Sequence, residues 1–197
     1  SRDLTMIDQI LVLTGSHWQA VGGKPEQKAL DEVVGPDKAI LNISVFGAEG
    51  DMLFTNSPEA WPRDELDSVT GLPFFAEQKR STTDTMFIGM PRKMAGQDQY
   101  FIRFSRKILD AAGSLAGVVV VALDSEALIA PYDSGVLGTQ GFVTSVGLDG
   151  STKAFRINGG GRQPPAIPRS LRFALDSSAG NIYVAGGDFG DTVSRFI

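Results

Sequence analysis

Cysteine is absent from this sequence, which removes disulfides, thiolate nucleophiles and Cys-ligated metal sites together. Histidine occurs once, as His17 beside Trp18 in a helical pattern, where surface exposure or helix packing is its expected role rather than catalysis or metal ligation. Long apolar runs are missing too. The longest strongly apolar stretch, Leu115 to Leu123, falls short of the ~20 residues that a spanning helix needs. Basic charge is sparse and unclustered: 18 Lys and Arg against 23 Asp and Glu give a formal charge of −5, without the basic face that a phosphate backbone requires. Nucleic acid is therefore not an expected partner. The glycine-rich Asn158-Gly159-Gly160-Gly161 lacks a following Lys-Ser/Thr and runs into Pro164-Pro165 instead of a helix, which argues against a phosphate loop. No spaced carboxylate pair suggests a hydrolase or transferase. The expectation is a non-enzymatic chain with no catalytic residues, no metal site and no cofactor.

What is present is 197 residues with 42% hydrophobic content, enough to bury one large core or two small ones without covalent staples. The absence of cysteine fits a periplasm. Ser1-Arg2-Asp3 opens directly into a helical pattern, as expected of a segment cut from a longer protein.

From Leu4 to about Ala20 the residues Leu4, Ile7, Ile10, Leu11, Leu13 and Trp18 recur at mostly three-to-four spacing, the pattern of an amphipathic helix. Gly22-Gly23-Lys24-Pro25 stops it, and Glu26 to Val34 predicts a second short helix ended by Gly35-Pro36. Ile40 to Phe46 and Asp51 to Thr55 are β-prone runs around a Gly47-Ala48-Glu49-Gly50 turn, a first hairpin. Asn56 to Leu72, interrupted by Pro58, Pro62 and Gly71, is expected to form loop and short helical turns. Pro73 starts a helix through Lys79, because proline at the first helical position gives up no hydrogen bond.

Three strands are expected at Met86 to Gly89, Gln99 to Leu109 and Leu115 to Leu123, the last two joined by Asp110-Ala111-Ala112-Gly113-Ser114. Gly117 to Leu123 is apolar on both faces and predicts a central strand. Gly141 to Leu148 and Ser151 to Ile157, around Asp149-Gly150, form a second hairpin that repeats the first. Asn158 to Pro165 is expected to be a flexible loop, followed by short runs at Leu171 to Leu175, Asn181 to Ala185 and Val193 to Ile197. The fold class is α+β: an antiparallel sheet with flanking helices.

Four stretches resemble the Cache family, the PAS-like extracytoplasmic sensor domains of chemoreceptors, histidine kinases and cyclic-di-GMP enzymes. They are Ile43 to Gly50, Val69-Thr70-Gly71-Leu72-Pro73-Phe74-Phe75, Phe87-Ile88-Gly89-Met90-Pro91, and the span from Tyr100 to Asp124, the most specific of the four. The resemblance implies a helical arm over 1–38, a membrane-distal PAS-like module over 39–130 and a smaller, incomplete membrane-proximal module over 131–197. It also implies a bacterial inner-membrane receptor tethered outside the cytoplasm, a homodimer through the N-terminal helix, and a small-molecule ligand.

The residues expected to line the ligand site are Phe74, Phe75, Met90, Arg92, Tyr100, Ile102, Phe104 and Asp124. Phe74 and Phe75 either roof a pocket or fill the core. Tyr100, Ile102 and Phe104 share one face of their strand by alternation, with core packing the plainer fate of the last two. Asp124 matches the acidic residue that accepts a ligand ammonium in amine-sensing members, and it is also placed to cap a helix over Ala127 to Ala130. Arg92, Arg103 and Arg106 are candidate anion anchors, with a solvated edge position as the plainer fate of any one of them.

The sequence departs from the family at Gly71, Leu72 and Met90, where acidic and arginine residues are common. The arginine that clamps free amino acids two residues before an aromatic is Asp98, ahead of Tyr100. The functional expectation is a binding module whose closure shifts the N-terminal helix, with a ligand-free dimerisation or scaffold ectodomain as the alternative.

Overall fold

The computed structural model describes residues 2–20, 39–94, 99–130, 142–147, 151–157, 183–184 and 195–196. The expected helix Glu26 to Val34, the loop Asn158 to Pro165, the run Leu171 to Leu175 and Asp98 lie outside the described residues. The chain divides into two compact units, Ser1–Asp124 and Ser125–Ile197.

The first unit opens with helix α1 (Arg2–Ala20), followed by the hairpin β1 (Ile40–Gly47) and β2 (Met52–Thr55). Gly50 sits in the hairpin turn at φ +87°, a backbone region that a side chain disfavours, and its amide closes the turn onto the Gly47 carbonyl at 3.0 Å. A proline-punctuated segment then carries the one-turn helix α2 (Arg63–Leu66) between two 3-10 turns, Pro58–Ala60 and Val69–Gly71. Helix α3 (Pro73–Arg80) starts at its proline, as its sequence predicts. Four strands complete the sheet: β3 (Phe87–Ile88), β4 (Arg92–Lys93), β5 (Tyr100–Leu109) and β6 (Leu115–Asp124). The fold is α+β.

All the strand pairs are antiparallel, in the order β2-β1-β6-β5-β3, with β4 also pairing β5. The last strand in sequence thus lies between the first hairpin and β5. It is buried from Gly117 to Leu123, as its unbroken apolar run requires of a central strand.

Cross-strand register sorts the side chains into two faces. On one face Ile43, Val121 and Phe104 fall in a row, with Val45 and Val119 alongside. Helix α1 covers this side, burying Ile7, Ile10, Leu11 and Thr14. Each aliphatic side chain of that stripe contributes about 1.5–3 kcal/mol on leaving water. The buried set follows the 7, 10, 11, 14 spacing, so Leu13, expected in the apolar stripe, points out at 55% exposure while Thr14 takes its place inside. Arg106 ties the helix down through ion pairs to Asp8 on α1 and to Asp84. Burial works against the Arg106 charge, yet its hydrogen bonds to Asp8 and Asp84 outweigh that and hold its pKa above the ordinary arginine value.

The opposite face carries Ser44, Phe46, Val118, Val120 and Ser105, and the segment from Pro58 to Arg80 packs on it. Phe46, Trp61 and Phe74 form an aromatic cluster with ring centroids 5.0–5.8 Å apart, and Phe75 is fully buried beside it. Gln78 secures α3 by donating to the carbonyls of Ser105 at 2.9 Å and Thr85 at 3.1 Å.

The second unit contains the expected hairpin, β7 (Phe142–Val146) with β8 (Thr152–Ile157), and a short antiparallel pair, β9 (Tyr183–Val184) with β10 (Arg195–Phe196). It begins with a 3-10 turn at Ser125–Leu128, where the sequence suggests a capped helix through Ala130. Arg156 of β8 donates to the Ile129 carbonyl at 2.9 Å.

Candidate functional site

Polar groups gather on the face beneath the Pro58 to Arg80 segment. Two short helices flank Trp61 because Pro58 and Pro62 each begin a turn and limit what precedes it. The Trp61 ring turns inward, and its Nε1–H donates to Ser44 Oγ at 2.8 Å. The Ser44 hydroxyl in turn donates to Thr55 Oγ1 at 2.9 Å. One turn further on, Glu65 is also directed inward and is 7% exposed, unlike its neighbours Arg63 and Asp64.

Two arginines hold the Glu65 carboxylate. Arg103 Nη2 donates to Oε2 at 2.5 Å, and Arg92 Nη1 pairs with Oε1. Arg103 is 6% exposed. Its guanidinium carbon lies 4.1 Å from the Trp61 ring centroid, 5.1 Å from that of Phe101 and 5.5 Å from that of Phe74. Burial pushes the Arg103 pKa below its ordinary value, with the Glu65 hydrogen bond and charge opposing and Arg92 adding repulsion. A guanidinium stays protonated all the same.

Sheet register extends this cluster. Arg103, Ala122 and Asn42 occupy one cross-strand row over β5, β6 and β1, and Arg92, Phe101 and Asp124 occupy the next over β4, β5 and β6. Asn42 is 2% exposed, and its Oδ1 has no hydrogen-bond partner among the described residues. Asp124 accepts a hydrogen bond from Gln99 Nε2 at 2.7 Å. Among the described residues no group of three or more His, Cys, Asp or Glu is placed to hold a metal ion, and no helix is long and apolar enough to cross a membrane.

No family model and no curated protein matches the chain. Solved structures do. The extracellular domain of a protein described as the histidine kinase rpHK1S-Z16 superposes with a TM-score of 0.70 at 17% identity, over 98% of this chain and 79% of that one. An extracellular ligand binding receptor from Desulfohalobium retbaense gives 0.62 at 12% identity, over 90% of this chain but only 32% of the receptor. The periplasmic sensory domain of the Campylobacter jejuni chemoreceptor Tlp1 gives 0.55 at 12% identity, over 95% of this chain and 79% of that domain. The chain shares the fold of these sensor domains.

This sensor-domain fold, which the Cache resemblance implied, distributes the expected site residues over both faces of the sheet. Phe74 and Phe75 lie on the polar face, where Phe74 forms part of the wall around Arg103 and both are core. Arg92 and Asp124 join the cluster, as the register requires. Ile102 and Phe104 are fully buried on the other face, beneath α1, separated from Phe74 by the sheet itself. Tyr100 shares their parity and is 39% exposed at the start of β5, and Met90 points into solvent at 59% exposure.

No local pattern in the sequence marks out Trp61, Glu65, Phe101 or Asn42, and a solvated edge is the plainer expectation for Arg103. The reason is the alternation of Arg103, Ser105 and Lys107, polar positions that resemble an outward face. In the folded chain the proline-punctuated segment covers that face and makes it an interior.

Proposed function

We propose that this chain is the extracytoplasmic ligand-sensing region of a transmembrane signal-transduction receptor, and that the module over 39–130 binds a small solute between the sheet and the Pro58 to Arg80 segment. One observation carries this reading. A buried guanidinium, walled by three aromatic rings, shares a row with a buried amide oxygen that has no partner among the described residues. Burying such groups costs free energy that a plain structural core avoids by using apolar side chains. An aromatic wall with a few convergent polar groups is the usual make-up of a small-molecule site. In this reading the ligand acts by binding one arrangement of the segment and α1 better than another.

A thermal-shift screen against a broad solute library tests it. A true ligand at 100 times its dissociation constant stabilises the fold by about 2.7 kcal/mol, and the shift grows with the logarithm of concentration. A library without a single concentration-dependent hit would favour the alternative, a ligand-free dimerisation ectodomain. That alternative has its own support, since Glu65 already neutralises Arg103.

Dimerisation through α1 belongs to the same proposal. Val12 and Leu13 expose 42% and 55% of their surface on the side of α1 turned away from the sheet, a strip suited to a parallel copy. Sedimentation of the wild type and of Leu13→Asp reads this directly: a dimer is expected only for the wild type, and identical monomeric profiles at high concentration would overturn it.

A further inference from the structure

We infer that Glu65 is an internal stand-in for the ligand: the site takes a small carboxylate, which displaces the Glu65 side chain from Arg92 and Arg103. This rests on the reading of the chain as a ligand sensor and names the chemistry that the site would select.

The two partners of the buried pair are held very differently. Arg103 lies inside the sheet, with β6 on one side of its strand and the Gly89 amide bonded to its carbonyl at 2.9 Å on the other. The rings of Trp61, Phe74 and Phe101 surround its guanidinium. Glu65 sits on a four-residue helix closed only by bonds within its own turn, with Arg63, Asp64 and Asp67 exposed around it. The guanidinium is therefore fixed, and the carboxylate can leave by rotation of its side chain.

The bonding of Glu65 also describes what would replace it. Each carboxylate oxygen is taken by a different guanidinium, an arrangement that any planar carboxylate of similar size reproduces. Two guanidiniums share the single Glu65 carboxylate, while Asp124 stands two strands away in the Arg92 row, so Glu65 is the one anion among the described residues in direct contact with both. Across the short side chain of Ala122, two strand spacings or roughly 10 Å from the Arg103 row position, the Asn42 oxygen has no donor among the described residues.

A tethered side chain competes with an effective concentration in the millimolar range or above, so Glu65 weakens the apparent affinity for any free carboxylate. Removing its charge should undo this competition. The experiment titrates the whole 197-residue chain, as wild type and as Glu65→Gln, with sodium lactate, propionate and succinate at matched ionic strength, using propionamide as the neutral control and melting temperature as the readout.

The expected result is half-saturation of Glu65→Gln at a carboxylate concentration lower by on the order of tenfold, with no response to propionamide. Adding Arg92→Gln, at a half-exposed position, should abolish most of that gain. Should Glu65→Gln fail to fold, Glu65→Asp serves instead, because its shorter side chain competes less well. Equal half-saturation in variant and wild type, or equal stabilisation by propionamide and propionate, overturns the inference. A neutral or cationic library hit that binds both proteins alike also overturns it while leaving the sensor reading intact. Absence of any stabilising solute for either protein overturns both.

Discussion

Arg103 on β5 and Glu65 on α2 meet at 2.5 Å across 38 residues of chain, and both are more than nine-tenths buried. Removing one partner strands the other charge away from water. Glu65→Ala is expected to cost about 3–5 kcal/mol, whereas Glu65→Met combined with Arg103→Met should cost far less, since apolar groups of similar volume remove both desolvation penalties. Urea unfolding midpoints measure both. A double variant as unstable as the single one would show that the packing around Arg103, and not its charge, is what the fold needs.

Ser44 links β1 to Trp61 and to Thr55 through one hydroxyl. Ser44→Ala leaves the buried indole N–H without its acceptor, at an expected cost of about 1–3 kcal/mol. In a Trp18→Phe background Trp61 is the remaining tryptophan, so its emission reports this contact directly. A blue-shifted spectrum in the Ser44→Ala variant is the expected companion to the loss, because the indole then emits without a hydrogen bond.

Opposite Gly47 of β1, its cross-strand partner, lies Gly117 of β6. A Cβ there would stand 2.4 Å from the Phe46 carbonyl oxygen, so the strands would have to part. Gly117→Ala should cost about 1–3 kcal/mol through this overpacking. At Gly71 the nearest atom to an added Cβ is Ser68 Oγ at 3.6 Å, an ordinary contact. Gly71→Ala should therefore stay within about 0.5 kcal/mol of wild type, as chemical denaturation would show.

Asp8 anchors α1 to Arg106, which Asp84 also holds. Both carboxylates are partly exposed, which limits the pair to about 1 kcal/mol or less. Asp8→Asn should accordingly lower global stability only slightly. It should also speed amide exchange along α1, and the difference from wild type should shrink at high salt as screening weakens the pair. Unchanged exchange in α1 would mean that the apolar stripe of Ile7, Ile10 and Leu11 alone sets the opening of the helix.

The sequence by itself determined the order of the elements, because each is set by short-range chemistry. Pro73 starts α3, the Gly47 to Gly50 turn closes the first hairpin, and the unbroken run from Gly117 to Leu123 can rest only between two other strands. What only the tertiary structure decided is which face of β5 carries the candidate site. Alternation says that Phe101, Arg103 and Ser105 point one way and Ile102 and Phe104 the other, but it is silent on what covers each side. The polar face became an interior because Trp61 and Glu65, brought over it by a segment without strong periodicity, supply the rings and the carboxylate that a buried guanidinium needs. Ion pairing across 38 residues leaves no local pattern, so Glu65 could be found only where the chain had already folded back on itself.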